Sequence, residues 1–304
     1  MLKSVTVTNY HGESLKLEMG RPSSSGFYIK RIEGLGPTKA NINITERTTM
    51  DGGQYSSSHA NSRNIVITLG FLFDNGIEDM RHKSYKYFPL KKKVKLLIET
   101  DRRTCETYGY VESNEPDIFN KEETTQISIV CPDSYFYSAG NGAKTVTLFS
   151  GVDSLFEFPF SNESLTDDEI EFGSIQRSTM GTVLYSGEAD IGITIYIHAI
   201  GNVTNPTIYN LTTRESMKID TTRLRLSTGS AIVAGDDIII CTMKGEKSIQ
   251  LLREGTYYNI LNCLDKRANW FQISNGDNVF MYSADSGEGN LEFRIEHKTA
   301  YEGV

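Results

Sequence analysis

The residues able to do chemistry in this chain are few and scattered. Two acidic runs stand out, Asp167-Asp168-Glu169 and Asp236-Asp237. Glycoside hydrolysis needs two carboxyl groups facing one another across a cleft, roughly 5–10 Å apart. Neighbours along a strand point to opposite faces and cannot converge in that way. Both runs therefore read as turn and loop-edge residues. The five histidines, His11, His59, His82, His198 and His297, are isolated from one another, and a metal needs several convergent ligands. His198 follows Ile195-Tyr196-Ile197 and reads as a half-buried strand residue. Cys105, Cys131, Cys241 and Cys263 form no C-x-x-C pair, so they carry no zinc spacing. Four dispersed thiols suit a reducing cytoplasm as the place of synthesis, with a disulfide between two of them left open. Neither G-x-S-x-G, a P-loop nor H-E-x-x-H occurs. Gly287-Glu288-Gly289-Asn290 lacks the strand-then-helix setting of a dinucleotide site. The expectation is a non-enzyme with no catalytic, cofactor-binding or metal-binding residues.

With 304 residues, 38% hydrophobic and 23% charged, the chain has globular composition and enough length for two cores. A net charge of −8 argues against a sequence-specific nucleic-acid binder, which would present a basic face. The basic cluster Lys91-Lys92-Lys93 with Lys95 leads into an apolar run and reads as the solvated start of a strand. Nothing in the first residues resembles a secretion signal, and no apolar run reaches membrane-spanning length, so membrane insertion is not expected.

Sixteen tyrosines and fourteen phenylalanines, with frequent Ile, Val and Thr, favour strands. Alternation predicts strands at 3–9, 14–19, 27–32, 40–45, 64–73, 94–100, 104–113 and 124–131. Residues 56–63 read as a polar loop, and Glu115-Pro116-Asp117 as an interruption. One amphipathic helix is predicted from Ile77 to Phe88, with Asp74 or Asn75 as its cap, Glu78 and Asp79 in its first turn, and Pro89 as its stop. Beyond the hinge-like Ala139-Gly140-Asn141-Gly142-Ala143, short strands recur between turn signals to the end of the sequence. The predicted set comprises 145–149, 155–158, 169–172, 181–185, 192–200, 207–210, 216–219, 230–232, 237–242, 248–252, 270–273, 278–283 and 290–297. That rhythm indicates a sandwich or barrel. The expected fold is mainly β: an N-terminal barrel- or sandwich-like domain over 1–138 with one helix and an extended hairpin, then a second β-sandwich over 139–304.

Several segments, in their order and spacing, resemble the distal tail protein family of long-tailed bacteriophages. In the first part these are Gly34-Leu35-Gly36-Pro37, Asp51-Gly52-Gly53-Gln54-Tyr55, Arg63-Asn64-Ile65-Val66-Ile67, the helix with Pro89-Leu90, and Cys131-Pro132-Asp133 through Tyr137. In the second they are Asn205-Pro206-Thr207-Ile208, Ala234-Gly235-Asp236-Asp237-Ile238, Lys244 through Ile249, Trp270-Phe271-Gln272-Ile273, Gly276-Asp277-Asn278 and the final Tyr301-Glu302-Gly303-Val304. Each is turn-and-strand chemistry, and the signal lies in the series.

The resemblance implies a structural virion protein at the distal end of the tail, made in the bacterial host cytoplasm. Its N-terminal domain would build a homo-hexameric ring around a DNA channel, and its C-terminal domain would be a galectin-like sandwich. Partners would be the tail tube protein, the tail-associated lysin or fibre protein and, in many phages, receptor-binding proteins. Candidate contact elements are the loops 20–26 and 54–63 and the hairpin around Glu112–Glu123. The alternative is a carbohydrate-binding module for the bacterial envelope, and a third reading, an envelope hydrolase, lacks a carboxylate pair. The His-x-Asn-x-Arg pattern of true galectins is missing, and the single Trp270 reads as a packing residue.

Overall fold

A computed structural model describes all residues except 22–23, 47–50, 73–75, 118–122, 141 and 154–173, and the backbone alone at 150–153 and 174–177. The chain divides into two compact units. One holds Met1–Ala143 together with Thr299–Val304, the other Lys144–Lys298.

The first unit begins with β1 (Leu2–Thr8), β2 (Ser14–Glu18) and β3 (Phe27–Glu33), then β4 (Ala40–Glu46), β5 (Gly53–Ala60) and β6 (Arg63–Phe71). Helix α1 (Ile77–Tyr87) precedes β7 (Lys93–Thr100), β8 (Thr104–Asp117), β9 (Thr124–Cys131) and β10 (Phe136–Ser138). Its main sheet runs in the order β2-β1-β7-β8-β9-β6-β3, antiparallel throughout. The edge strands β2 and β3 approach each other, so the sheet curls around one core. Alternation explains that core. Val5, Val7, Ile65, Ile67, Leu69, Val94, Leu96, Ile98, Ile127 and Ile129 point inwards from positions two apart and are essentially buried.

Met80, Ser84 and Phe88 bury one stripe of α1 and the turn after it. The cap position is Gly76, with no side-chain cap, while the expected caps Asp74 and Asn75 lie outside the described residues. Strand β8 does not stop at Glu115-Pro116-Asp117. It pairs with β9 as far as Asp117 opposite Thr124, giving a long hairpin whose tip is outside the described residues. Residues 56–60, expected to be loop, form most of β5, which among the described residues pairs only with β4.

In the second unit β11 (Lys144–Leu148), β12 (Ser150–Asp153), β13 (Ser174–Arg177), β14 (Met180–Tyr185), β15 (Ile191–Gly192) and β16 (Thr194–Ala199) come first. They are followed by β17 (Thr207–Asn210), β18 (Glu215–Lys218), helix α2 (Thr221–Thr228), β19 (Asp237–Cys241), β20 (Ser248–Arg253) and β21 (Thr256–Asn259). β22 (Gln272–Ile273), β23 (Gly276–Ser283) and β24 (Leu291–Lys298) complete it. A six-stranded sheet, β11-β24-β16-β19-β20-β21, and a four-stranded one, β14-β23-β17-β18, share a core. Tyr282 of β23 meets Phe293 of β24 at 5.4 Å between ring centroids, and its hydroxyl donates to the Leu291 carbonyl.

The strand expected at 192–200 breaks into β15 and β16, the one expected at 270–273 shortens to β22, and β21 was not anticipated. Residues 230–232 make only an isolated bridge, Val203 to Ile232, and α2 was not anticipated. Asp220 caps that helix through the Thr222 and Arg223 amides, and Gly229 ends it in the left-handed conformation. The strands expected at 155–158 and 169–172 lie outside the described residues. After β24 the chain re-enters the first unit, where β25 (Ala300–Tyr301) pairs with β10.

Candidate functional site

The acidic runs do not form a reaction centre. Asp167-Asp168-Glu169 is outside the described residues. Asp236 and Asp237 point apart as adjacent residues must: Asp236 is 1% exposed and binds Arg253, while Asp237 lies on the outer sheet face beside His198. The histidines stay apart. His11 stacks near Tyr10, His59 lies on exposed β5, His82 is on the outside of α1, and His297 is buried against Tyr185. No group of three or more His, Cys, Asp or Glu among the described residues is arranged to hold a metal. All four cysteines are free thiols. Burial pushes the Cys131 thiol up to about 11, which removes its thiolate at neutral pH. Trp270 is half-buried, with the Lys247 ammonium 5.4 Å from its ring.

The basic cluster sits on tyrosines. Lys92 lies over Tyr10 and Lys93 over Tyr108, while Lys95 reaches Glu106 at 2.7 Å. Glu106 holds the Lys95 ammonium above its ordinary value. That chemistry anchors the start of β7 to its neighbours.

The polar centre of the first unit was invisible in the sequence. Arg63, at the start of β6, is 2% exposed and makes no ion pair among the described residues, with the Asp133 carboxylate acting on it only at a distance. Instead its guanidinium donates to backbone carbonyls: Nε and Nη2 to Ser134, Nη1 to Gly34 (2.6 Å) and Gly36, and Nη2 to Glu302 (2.6 Å). Its Cζ lies 4.1 Å from the Phe136 ring centroid. Burial lowers its proton affinity below the ordinary arginine value. Glycine is needed at position 34, where φ is +83° and an added Cβ would stand 2.0 Å from the Asn64 carbonyl oxygen. Four of the segments that made the series distinctive, around Gly34, Arg63, Ser134 and Glu302, therefore meet at one side chain. The amide of Val304 adds a bond to Leu35.

The β4–β5 hairpin is the opposite case. Every residue in both strands is exposed. Ile42 and Ile44 alternate along β4, and Tyr55 pairs opposite Ile44, so the three share one face. They are 61%, 61% and 62% exposed, an apolar stripe on a ribbon with no layer behind it among the described residues. A two-stranded hairpin alone is marginal in water.

Comparison with solved structures decides what this architecture is. The crystal structure of the SPP1 Dit (gp 19.1) protein, described as a paradigm of the hub adsorption apparatus in phages infecting Gram-positive hosts, matches with a TM-score of 0.66. The match covers 98% of this chain and 99% of that one at 12% identity. The chain shares the fold of that protein. A chain of the phage P2 baseplate in its calcium-activated conformation also matches, with a TM-score of 0.53, 12% identity, and 98% and 99% coverage. No family model matches the sequence, and no curated protein matches it. The likeness spans both units, including the Arg63 cluster and the exposed hairpin.

Proposed function

We propose that the protein is a structural component of a phage tail tip, a hub located at the distal end of the virion tail. The full-length likeness to hub and baseplate proteins is the observation that carries this reading. In it the first unit assembles with copies of itself into a hexameric ring around a DNA channel. The ring joins the tail tube to the fibre or lysin protein and to receptor-binding proteins, and it performs no catalysis.

The exposed hairpin supports the assembly. An apolar stripe of Ile42, Ile44 and Tyr55 is stable once a neighbouring copy covers it. The negative net charge suits a channel that phosphates must pass without binding. Light scattering on the purified protein, with negative-stain imaging, tests the reading. A particle of six 34.1 kDa chains with a central hole is the expected result. A strict monomer at high concentration, both alone and mixed with its tail tube protein, would overturn it.

A further inference from the structure

The outer face of the six-stranded sheet in the second unit carries a groove of about 520 Å³. The strand registers place its residues in rows across the sheet. In one row Glu292, His198, Asp237, Leu252 and Tyr257 stand side by side on β24, β16, β19, β20 and β21. In the next, Leu148, Arg294, Tyr196 and Ile239 follow on β11, β24, β16 and β19. The opposite face of the same strands is the buried Ile and Phe core. The polar character of this row is therefore not forced by packing.

Three features define what would fit. Donors and acceptors are already oriented: His198 Nδ1 is 2.7 Å from Asp237 Oδ1, and the Arg294 guanidinium, 3.6 Å from Glu296, sits over Tyr196 with Cζ 4.2 Å from the ring centroid. Glu292, half-buried in the same row, has no side-chain partner among the described residues, and its carboxylate offers free acceptor positions. Tyr257 at one wall is 61% exposed and presents an unstacked ring. From this juxtaposition we propose that the groove is a binding site for a neutral saccharide. Its ring C–H face would lie on Tyr257 and its hydroxyls would bridge Glu292, Arg294 and the His198–Asp237 pair.

The charge pattern selects that class. Two carboxylates disfavour an anionic ligand, and Arg294 disfavours a cationic one. Sugar hydroxyls, each both donor and acceptor, satisfy a mixed set. The size agrees, since small-molecule sites span about 300–1,000 Å³. A stable protein interface needs about 1,000 Å² or more of matched surface, well beyond this groove.

The test titrates the full-length protein with lactose, maltotriose and cellotriose, with sialyllactose and a heparin disaccharide as anionic controls. Calorimetry gives the affinity and ¹⁵N–¹H NMR the location. At least one neutral sugar should bind with Kd of about 1 mM or tighter, shifting amides of β16, β19, β21 and β24. Glu292→Gln and Tyr257→Ala, both at non-core positions, should each weaken binding about tenfold, with unchanged melting and unchanged scattering mass. The proposal falls if no neutral sugar binds at about 10 mM, if only the anionic sugars bind, or if the shifts map elsewhere. It also falls if both variants bind as the parent does, or if they alter the scattering mass, which would make the groove a protein contact.

Discussion

Each unit is organised around one largely buried arginine, and the two use opposite chemistry. Arg253 in the second unit is held by a carboxylate: its Nε meets Asp236 Oδ1 at 2.7 Å, and Nη2 also reaches the Ala231 carbonyl. Asp236 in turn accepts from the Val233 amide and raises the Arg253 proton affinity. Arg63 in the first unit is held by neutral carbonyls and a phenyl face. The difference predicts how each unit fails. Losing Arg253 strands a charge at 1% exposure, whereas losing Arg63 strands dipoles that entering water can serve.

The largest effect is therefore expected for Arg253→Met, at about 3–5 kcal/mol lost from the second unit. Trp270, the only tryptophan, reports on that unit by fluorescence during denaturant unfolding. Adding Asp236→Asn should recover more than half of the loss; no recovery would mean the pair matters for shape rather than charge. Arg63→Met should cost about 2–4 kcal/mol, seen by circular dichroism with the Trp270 transition unmoved. Arg63→Lys should recover less than half, since one ammonium cannot serve the fork of carbonyls.

The second unit also carries a group that responds to acid. Burial lowers the proton affinity of His297 below its ordinary value of 6.5, with the Lys298 carbonyl opposing. The folded second unit keeps it neutral while the unfolded chain takes up a proton. Its contribution is fully present above 6.5 and is lost as the pH falls from there towards the lowered folded value, at no more than about 1.4 kcal/mol per pH unit. His297→Phe should flatten that slope in the Trp270 signal, and an unchanged slope would assign the acid response elsewhere. The smallest stability effect is expected for Ile42→Ser with Ile44→Ser, within about 0.5 kcal/mol for the single chain. The same double variant should abolish higher-mass particles in light scattering.

Most strands that the sequence revealed have one wet and one dry face; β4 is the exception, legible because Ile42 and Ile44 alternate with polar residues although both of its faces are exposed. β9 matches its expected bounds of 124–131 because Thr125, Ile127, Ile129 and Cys131 are buried at positions two apart, and β17 matches at 207–210. β5 was hidden because Gly53–Ala60 is exposed on both faces in the single chain, leaving no period of two to read. β8 was cut short at Pro116 because proline usually ends pairing, yet near a hairpin tip few ladder bonds are at stake. Helix α2 carries four threonines and serines in eight residues, a poor helix composition, so its Asp220 and Gly229 caps went unused. The Arg63 cluster could not be seen at all. Its partners are 27 to 239 residues away, and nothing local marks a lone arginine before a strand as buried. The groove shares that blindness, since Glu292 and Asp237 become neighbours of His198 only through the register.

The chain's return to its first unit has a consequence for how the protein is made and remade. Ser138 and Thr299 are joined by two hydrogen bonds, the Ser138 amide to the Thr299 carbonyl at 2.8 Å and the Thr299 amide to Ser138 Oγ at 2.9 Å. The 155 residues of Lys144–Lys298 thus leave and re-enter at nearly the same place, as an inserted cassette does. Residues 299–304 are translated after the whole cassette, so the Glu302 carbonyl reaches Arg63 late and the first unit stays unlatched until then. Because both cassette ends sit on one hydrogen-bonded step, recombination could exchange the cassette for another module while leaving the Arg63 latch in place.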